Sequence, residues 1–226
     1  MNRSVLIVAG GQGKRMGGDV PKQFMLLDGK PILVRTIDKF IETLHEESKI
    51  VVVLPREYFA IWEKFCSHYP YLKRVIVSEG GRSRFHSVKK GLKHISLAGV
   101  VAIHDGVRPL VSSKLISQAY KMAETHKSAI PAIEMIDSIR CLKNGELQVF
   151  DRTQLRAIQT PQVFNNKLIQ EAYATVQDSK FITDDTMVFE RVGNTAYFFE
   201  GERSNIKITT PFDLLLAEAI IKSSKD

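Results

Sequence analysis

The sequence is poor in cysteine, in long apolar runs and in dense clusters of basic residues. Cys66 and Cys141 are its only cysteines, and they lack the spacing of a metal site or a disulfide framework, so we expect a reduced, cytoplasmic protein. The apolar runs are much shorter than the ~20 residues of a membrane span. Arg3 is followed by too few apolar residues for a signal peptide. We therefore expect no membrane partner.

The net charge of +7 is typical of a nucleic-acid surface or of a site for phosphorylated small molecules. The basic residues are mixed with acidic ones, and no Lys/Arg run with interleaved aromatic residues occurs. We therefore expect phosphorylated small molecules and no nucleic acid. With 226 residues, of which 44% are apolar, the chain can bury a full core, so we expect one domain over residues 1–226.

Short apolar strands alternate with amphipathic helices along most of the chain. The predicted strands are Ser4–Val8, Ile50–Leu54, Val75–Val77, Val100–Ile103, Ala129–Ile133, Tyr197–Phe199 and Asn205–Ile208. A closing helix is predicted from Pro211, with Leu214, Leu215, Ala217 and Ile221 facing the core. This alternation predicts an α/β fold with a doubly wound, mostly parallel, Rossmann-like sheet. Because ligands of such sheets bind beyond the carboxyl ends of the strands, the loops after the first, third and fourth strands should form one crevice.

The loop after the first strand is rich in glycine and then in cations. It contains Ala9, Gly10, Gly11, Gly13, Lys14, Arg15 and Lys22. Glycines let several backbone N–H groups approach one anion, and the cations can hold phosphates. The spacing excludes a P-loop, and a dinucleotide fingerprint would meet Met16 at its third glycine. We predict a loop that wraps a nucleoside triphosphate, with a flexible, solvated glycine loop as the alternative.

Two further loops carry polar residues at predicted strand ends. Gly80 and Gly81 permit close approach to a base, and Ser87 can hydrogen-bond near the following helix start, although a plain strand–helix turn has the same pattern. Asp105 and Arg108 follow the fourth strand, where a carboxylate beside an arginine suits a metal–phosphate site. The alternative is that these two side chains pair with each other to hold the loop.

Residues 134–158 interrupt the alternating pattern. Asn144-Gly145 separates two β-like segments and predicts a hairpin. A lone hairpin is only marginally stable, so we expect this arm to pack against a second subunit. Arg152 in the arm would otherwise form a surface ion pair with Asp151.

These motifs together resemble those of the 2-C-methyl-D-erythritol 4-phosphate cytidylyltransferase family, which uses CTP in the non-mevalonate isoprenoid pathway. The matching segments, in the family's order, are the G-x-G-x-R-M loop, Pro21-Lys22-Gln23, G-G-x-x-R-x-x-S from Gly80, H-D-G-V-R-P from His104, Asp151-Arg152-Thr153, Thr160-Pro161-Gln162, Thr183-Asp184-Asp185 and Asn205-Ile206-Lys207-Ile208. The resemblance extends from Val5 to the last helix.

The resemblance implies transfer of CMP from CTP to a polyol phosphate, with release of pyrophosphate. The implied catalytic residues are Arg15, Lys22, Arg152 and Lys207. The implied CTP-binding residues are Ala9, Gly10, Gly11, Gly13, Gly80, Gly81, Ser87 and Asp105. The implied polyol-phosphate-binding residues are Asp105, Arg108, Ser138, Arg152, Thr160, Thr183 and Lys207. It further implies Mg²⁺ held mainly by the CTP phosphates, with no direct protein ligand assigned, and a homodimer in which Ser138 and Arg152 reach the partner's site.

Several positions depart from the family pattern. Arg82 stands where an acidic residue is frequent, Gly106-Val107 replaces two alanines, and Ser138 replaces a threonine. Val107 and the run Thr209-Thr210-Pro211 also resemble ribitol-5-phosphate cytidylyltransferases, whereas residues 151–153 and 183–185 favour the methylerythritol branch. A non-catalytic nucleotide-binding domain is the alternative from another class; it would not need Lys22, Arg152 and Lys207 together.

Overall fold

A central sheet with helices on both faces forms the fold. This computed structural model describes residues 1–11, 21–177 and 181–223. The strands are β1 (Arg3–Val8), β2 (Leu26–Leu27), β3 (Lys30–Pro31), β4 (Lys49–Leu54), β5 (Ile76–Glu79), β6 (Val100–Asp105), β7 (Ser128–Glu134), β8 (Ile139–Lys143), β9 (Glu146–Phe150), β10 (Arg156–Ile158), β11 (Gln162–Asn165) and β12 (Phe198–Glu200). The α-helices are α1 (Ile32–Thr43), α2 (Phe59–His68), α3 (Arg84–Leu92), α4 (Ser113–His126), α5 (Asn166–Thr175), α6 (Asp185–Glu190) and α7 (Pro211–Ser223). Within the described ranges, no helix combines the length and apolar character needed to cross a membrane.

The strand order of the main sheet is β10-β7-β11-β6-β1-β4-β5, and β12 pairs with β7. Strands β5, β4, β1 and β6 are parallel, whereas β11 lies antiparallel between β6 and β7. The connections from β1 and β6 leave in opposite directions along the sheet, so a crevice opens between their carboxyl ends. The predicted doubly wound, mostly parallel fold is confirmed.

Side chains of β1 alternate between two apolar layers, as a strand buried on both faces requires. Val5 and Ile7 pack in the layer that includes α1, α2 and α4. Leu6 packs in the opposite layer with α3, α5 and α6. All three side chains are fully buried, which fixes the register of β1 and the point, at Ala9, where the chain leaves it.

The registers of the central strands bring three loops to one edge of the sheet. Val8 lies opposite Asp105 in the β1–β6 ladder. Beyond the ladder, the Ala9 N–H donates to the Val53 carbonyl at 3.0 Å, and the Gly106 N–H donates to the Val8 carbonyl at 2.9 Å. The chain therefore leaves β1 in a fixed direction, beside the ends of β4 and β6.

The arm is a two-stranded sheet of its own. Strands β8 and β9 pair antiparallel around Asn144 and Gly145, whose φ angles of 52° and 86° match the positive values of a tight hairpin turn. Leu142, Leu147 and Val149 on this arm are all more than two-thirds exposed. The predicted hairpin is thus formed, and the chain exposes its apolar side chains.

Two predictions about the C-terminal part are wrong. Asn205–Ile208 does not form a strand: the Asn205 and Ile206 N–H groups make local turn bonds to the Glu202 and Ser204 carbonyls, and the Ile208 N–H donates to the Val107 carbonyl. Asn205 and Ile208 are both buried, but each for a separate reason. The sequence of this segment therefore looks like that of a strand although no strand forms. Leu215 does not face the core, because it is 64% exposed, whereas Ala217 and Ile221 are buried as predicted.

Candidate active site

Two cavities meet at the carboxyl ends of β1 and β6. The larger has a volume of about 640 Å³ and the smaller about 240 Å³. Arg84, Asp105 and Lys207 line both. Of the other predicted residues, the larger cavity is lined by Ala9, Gly10, Gly11, Lys22, Gly81 and Ser87, and the smaller by Arg108, Thr160 and Thr183. The structure therefore brings the predicted nucleotide-binding and polyol-binding residues to adjoining spaces.

Lys22 is placed at the larger cavity by its two successors in the sequence. The Phe24 ring is buried and packs edge-on against Tyr58, with ring centroids 5.2 Å apart. The Gln23 amide donates to the Ala9 carbonyl at 2.9 Å, which ties this turn to the end of β1. Lys22 consequently lies beside Gly11, where a Cβ would be only 3.8 Å from Lys22 Cε. The Pro-Lys-Gln-Phe sequence thus works as an anchor that presents one ammonium group to the cavity.

The double-glycine loop has no room for a side chain at Gly81. A Cβ there would lie 2.4 Å from His86 Cβ and 2.8 Å from the His86 carbonyl carbon, so the backbone would have to shift. The Gly81 N–H donates to Ser87 Oγ at 3.0 Å. Ser83 caps α3 by accepting from the His86 N–H. These contacts hold the loop close against the first turn of α3 and leave the wall of the larger cavity open to a flat ligand.

Asp105 is the shared anion of the site, surrounded by three cations. Its Oδ2 lies 3.1 Å from Lys207 Nζ and 3.2 Å from Arg108 Nε, and its Oδ1 lies 4.0 Å from Arg84 Nη2. Burial alone would raise the pKa of this carboxyl, but Lys207, Arg84 and Arg108 more than offset that effect and hold the pKa well below its ordinary value. Asp105 is therefore ionised throughout the physiological range. The alternative predicted from sequence, that Asp105 pairs with Arg108, is part of this cluster.

His104 is a neutral, fully buried support for this loop. Its Nε2 lies 3.2 Å from the Arg108 carbonyl and its Nδ1 lies 3.1 Å from Thr160 Oγ1. A carbonyl can only accept, so Nε2 carries the proton and Nδ1 accepts from the Thr160 hydroxyl. The same hydroxyl accepts the Asp105 N–H at 3.1 Å. Thr160 thus links His104 to Asp105 and fixes the backbone beneath the carboxylate.

This histidine should make folding stability fall with pH below neutrality. Burial lowers the pKa of the His104 imidazole to about 4, whereas in an unfolded chain it is ~6.5. Between these values the unfolded state binds more protons, so the free energy of unfolding should fall as pH falls, by at most about 1.4 kcal/mol per unit. Urea unfolding of wild type and His104→Gln between pH 5 and 6.5 tests this.

His104→Gln should show a flatter pH profile, because its amide does not titrate. His45→Gln is the matched control, since His45 is exposed, and it should retain the wild-type slope. Equal slopes for wild type and His104→Gln would contradict the assignment.

Comparison with known proteins identifies the family. The family described as 2-C-methyl-D-erythritol 4-phosphate cytidylyltransferase matches residues 4–223. The chain belongs to this family. A protein of that name from Bacteroides thetaiotaomicron is 42% identical over 221 residues, covering 98% of this chain and all of the relative, and one from Phocaeicola vulgatus is 44% identical with the same coverage.

Solved structures agree with the sequence comparison. The 4-diphosphocytidyl-2C-methyl-D-erythritol synthase of Anaerococcus prevotii superposes with a TM-score of 0.82 at 28% identity, covering 98% of this chain and 96% of that one. The 2-C-methyl-D-erythritol 4-phosphate cytidylyltransferase of Thermus thermophilus gives 0.76 at 29% identity, covering 98% and 100%. The predicted family, and with it the assignment to the nucleotidyltransferases, is confirmed.

In this member of the cytidylyltransferase family, the Lys207 segment is held by two amides that sequence reasoning missed. The fully buried Asn205 side chain donates to the Thr160 carbonyl at 2.8 Å, and its own backbone carbonyl accepts from Arg108 Nη1 at 2.7 Å. The Gln159 side chain donates to the Glu202 carbonyl at 2.8 Å and accepts the Glu202 N–H at 3.1 Å. Their positions in the sequence were the available signal, because Gln159 directly precedes the T-P-Q motif and Asn205 is the first residue of N-I-K-I.

The T-P-Q and T-D-D motifs of the cytidylyltransferase family contact each other here. Gln162 Oε1 accepts from the Asp185 N–H at 3.1 Å and from the Thr186 N–H at 3.0 Å, so it closes the first turn of α6. Asp184 is the N-cap of this helix and accepts the Met187 N–H at 2.9 Å. Because α6 begins against β11, the exposed Thr183 is carried to the smaller cavity.

The remaining predicted residues lie elsewhere. Ser138 and Arg152 are on the exposed arm and line neither cavity of their own chain. The Arg152 guanidinium donates to the Ile136 carbonyl, and the neighbouring carboxylate, Asp151, instead accepts from Thr153. Gly80 lies behind the lining, with its N–H on the Leu54 carbonyl. Gly13 and Arg15 lie outside the described residues. In the described ranges, no group of three or more His, Cys, Asp and Glu side chains is arranged to hold a metal.

Proposed function

We propose that this chain transfers CMP from CTP to 2-C-methyl-D-erythritol 4-phosphate, giving 4-CDP-2-C-methyl-D-erythritol and pyrophosphate. The observation that carries the proposal is the pair of adjoining cavities whose shared wall holds Arg84, Asp105 and Lys207. Two phosphorylated substrates bound one in each cavity would meet at that wall. Membership of the cytidylyltransferase family supports both the reaction and the choice of substrates.

The reaction needs positive charge and alignment more than a general base. A phosphomonoester has its second pKa near ~6, so the attacking oxygen is already anionic at neutral pH. That oxygen forms a bond to the α-phosphorus of CTP, and the bond to the β-phosphate oxygen breaks as pyrophosphate leaves with the electron pair. The proteins that catalyse such transfers supply positioning and electrostatic stabilisation. The cation cluster around Asp105 and the neighbouring Lys22 fits that requirement.

Each predicted residue takes a role in this scheme. Gly10, Gly11, Gly13 and Ala9 would wrap the triphosphate, while Gly80, Gly81 and Ser87 would hold the base. Arg15 and Lys22 would stabilise the charge that develops around the α-phosphorus. Lys207 would hold the attacking phosphate with Arg152. Arg108, Thr160 and Thr183 would bind or position the polyol phosphate, with the Thr160 hydroxyl acting through Asp105 because it is already engaged there.

Mg²⁺ would be held mainly by the triphosphate oxygens. Nucleotidyltransferases of this family are generally metal-dependent, and a bound Mg²⁺ would neutralise negative charge on the phosphates. Asp105 fits beside it: its carboxylate lines both cavities and stays ionised.

The arm would make the active protein a homodimer. The side chains of Leu142, Leu147 and Val149 expose apolar surface to water, and packing against a partner subunit would bury that surface. A second copy would at the same time bring Ser138 and Arg152 near a cavity that neither reaches in its own chain. The exposure of both side chains is compatible with this arrangement.

Ribitol phosphate is the less favoured polyol. The Thr209-Thr210-Pro211 run that suggested it has a structural explanation, because both threonine N–H groups donate to the Asp213 carboxylate at 2.8 Å and so begin α7. Val107, the other residue that resembles the ribitol branch, also has a structural explanation, because it packs with Ile208.

The decisive assay is pyrophosphate release by the purified protein with CTP and Mg²⁺, comparing methylerythritol phosphate with ribitol phosphate. Release with the first alone is expected. Release with ribitol phosphate alone would move the chain to the other branch, and CTP binding without release from either would favour a non-catalytic nucleotide-binding domain.

A further inference from the structure

Arg84 lies where the two cavities meet, held by a carboxylate from another element. It is the first residue of α3, and its guanidinium lines both cavities. Its Nη1 and Nη2 donate to the two carboxylate oxygens of Asp185 at 2.7 and 2.6 Å. This is the bidentate geometry in which an arginine is most tightly oriented. The G-G-x-x-R-x-x-S motif that contains Arg84 was matched without a role for this side chain, and the structure places its Nη2 4.0 Å from Asp105 Oδ1.

Asp185 is itself fixed from two further directions. Its carboxylate is fully buried and also accepts from the Tyr173 hydroxyl at 2.5 Å. Its backbone N–H is held by Gln162, as described above. Burying an ionised carboxylate is costly, and a hydrophobic pair of similar volume is frequently at least as stable. If Asp185 orients the Arg84 guanidinium, this buried ion pair has a function that an apolar pair could not serve.

The charges at the junction leave a positive excess. Arg84, Arg108 and Lys207 surround the two carboxylates Asp105 and Asp185. Three cations thus face two anions. Among the other described residues that line the two cavities, Lys22 and Arg82 add two cations and Glu57 and Asp184 add two anions, so the excess is one positive charge. An anionic group that enters the junction from either cavity would meet Arg84.

On the basis of the proposed function, we propose that Arg84 is a further catalytic residue that binds the phosphoryl group in transfer. Asp185 and Tyr173 are positioning residues that aim its guanidinium at that group. Because the guanidinium is preorganised before the substrates arrive, its contribution grows as charge develops in the transition state. The effect of losing it should therefore appear more in kcat than in KM.

A double-variant cycle tests this proposal. Arg84→Lys keeps the charge but loses the bidentate fork, and Asp185→Asn keeps the shape but loses the carboxylate charge. Each single variant should lower kcat by about 10- to 100-fold, with KM for CTP rising by less than ~5-fold. Since Asp185 acts through Arg84, the kcat of the double variant should lie within about 3-fold of the kcat of the less active single variant. Tyr173→Phe, which removes one hydrogen bond to Asp185, should give a smaller loss in the same direction.

Glu124→Gln is the matched control. Glu124 makes the same bidentate pair with Arg3, at 2.9 and 3.0 Å, at the amino-terminal end of β1, and neither residue lines either cavity. It should lower the thermal midpoint while kcat stays within about 2-fold of wild type. A wild-type kcat in Asp185→Asn, or losses in the two single variants that multiply in the double variant, would overturn the proposal.

The same proteins separate this inference from the proposed function. Pyrophosphate release by the wild type establishes the reaction whatever the Arg84 variants do. If the wild type released none, calorimetric titration with CTP and Mg²⁺ would still decide: binding about 2- to 5-fold weaker in Arg84→Lys and Asp185→Asn but unchanged in Glu124→Gln supports the phosphate contact. Equal binding by all four proteins overturns it.

Discussion

Replacing Lys22 by alanine should lower kcat by about 10²- to 10³-fold while the protein stays folded. The Lys22 ammonium lies at the larger cavity on a turn fixed by Gln23 and Phe24, so no reorganisation is needed when phosphate charge develops beside it. A preorganised charge of this kind contributes roughly 3–4 kcal/mol to the transition state. The measurement is steady-state pyrophosphate release at saturating CTP and polyol phosphate.

Lys30→Ala is the control for charge and folding. Lys30 is close in sequence and pairs with Asp38 at 2.7 Å, but it lines neither cavity. Its removal should leave kcat within about 2-fold, because a surface ion pair contributes little. A Lys22→Ala enzyme that turns over at the wild-type rate would remove Lys22 from the catalytic group.

Mixing two inactive variants should restore activity if the arm completes the partner's site. Lys22→Ala disables the cavity of its own chain, whereas Arg152→Ala would disable the cavity of the other chain. In a heterodimer of the two, one site carries both changes and the other carries neither. With random pairing of equal amounts, half of the dimers are mixed, so about a quarter of the wild-type activity should return.

Because folded subunits need not exchange after mixing, the two variants should be co-expressed with different tags. Heterodimers purified through both tags have one intact site of two and should show about half of the wild-type activity, whereas the unselected mixture should show about a quarter. Arg140→Ala, at an exposed position on the same arm, is the matched control and should be active by itself. Doubly tagged heterodimers with no more activity than the parents would show that Arg152 acts within its own chain or not at all.

The sheet and the arm could be predicted because their signals are local. Strands such as residues 50–54 are continuous apolar runs, which is the pattern of a strand that is buried on both faces of a sheet. Asn144-Gly145 specifies a turn by its own backbone preferences. The crevice could be predicted from the parallel order, because the carboxyl ends of parallel strands meet at the same edge of the sheet.

The missing parts depend on contacts between distant segments. Asn205 is buried because it bridges to Thr160, 45 residues away in sequence, and no local pattern contains that partner. Arg84 is directed by Asp185, which lies 101 residues further on, so its own motif could not show where its guanidinium points. Leu215 was assigned to the core from helical spacing, but the exposed face of α7 also carries large apolar side chains. Apolar periodicity shows that a face exists without showing what covers it.

The arm leaves and rejoins the sheet at a single point of one ladder. Glu134, the last residue of β7, stands opposite Arg156, the first residue of β10, and their side chains also form an ion pair at 3.6 Å. The distance between the two ends of the excursion is therefore set by strand pairing, whatever sequence lies between them. Mutations can accumulate in the intervening residues, or a different insertion can replace them, without a change in the backbone that leads to Thr160. The subunit contact that we propose for the arm can thus change without altering the floor of the crevice.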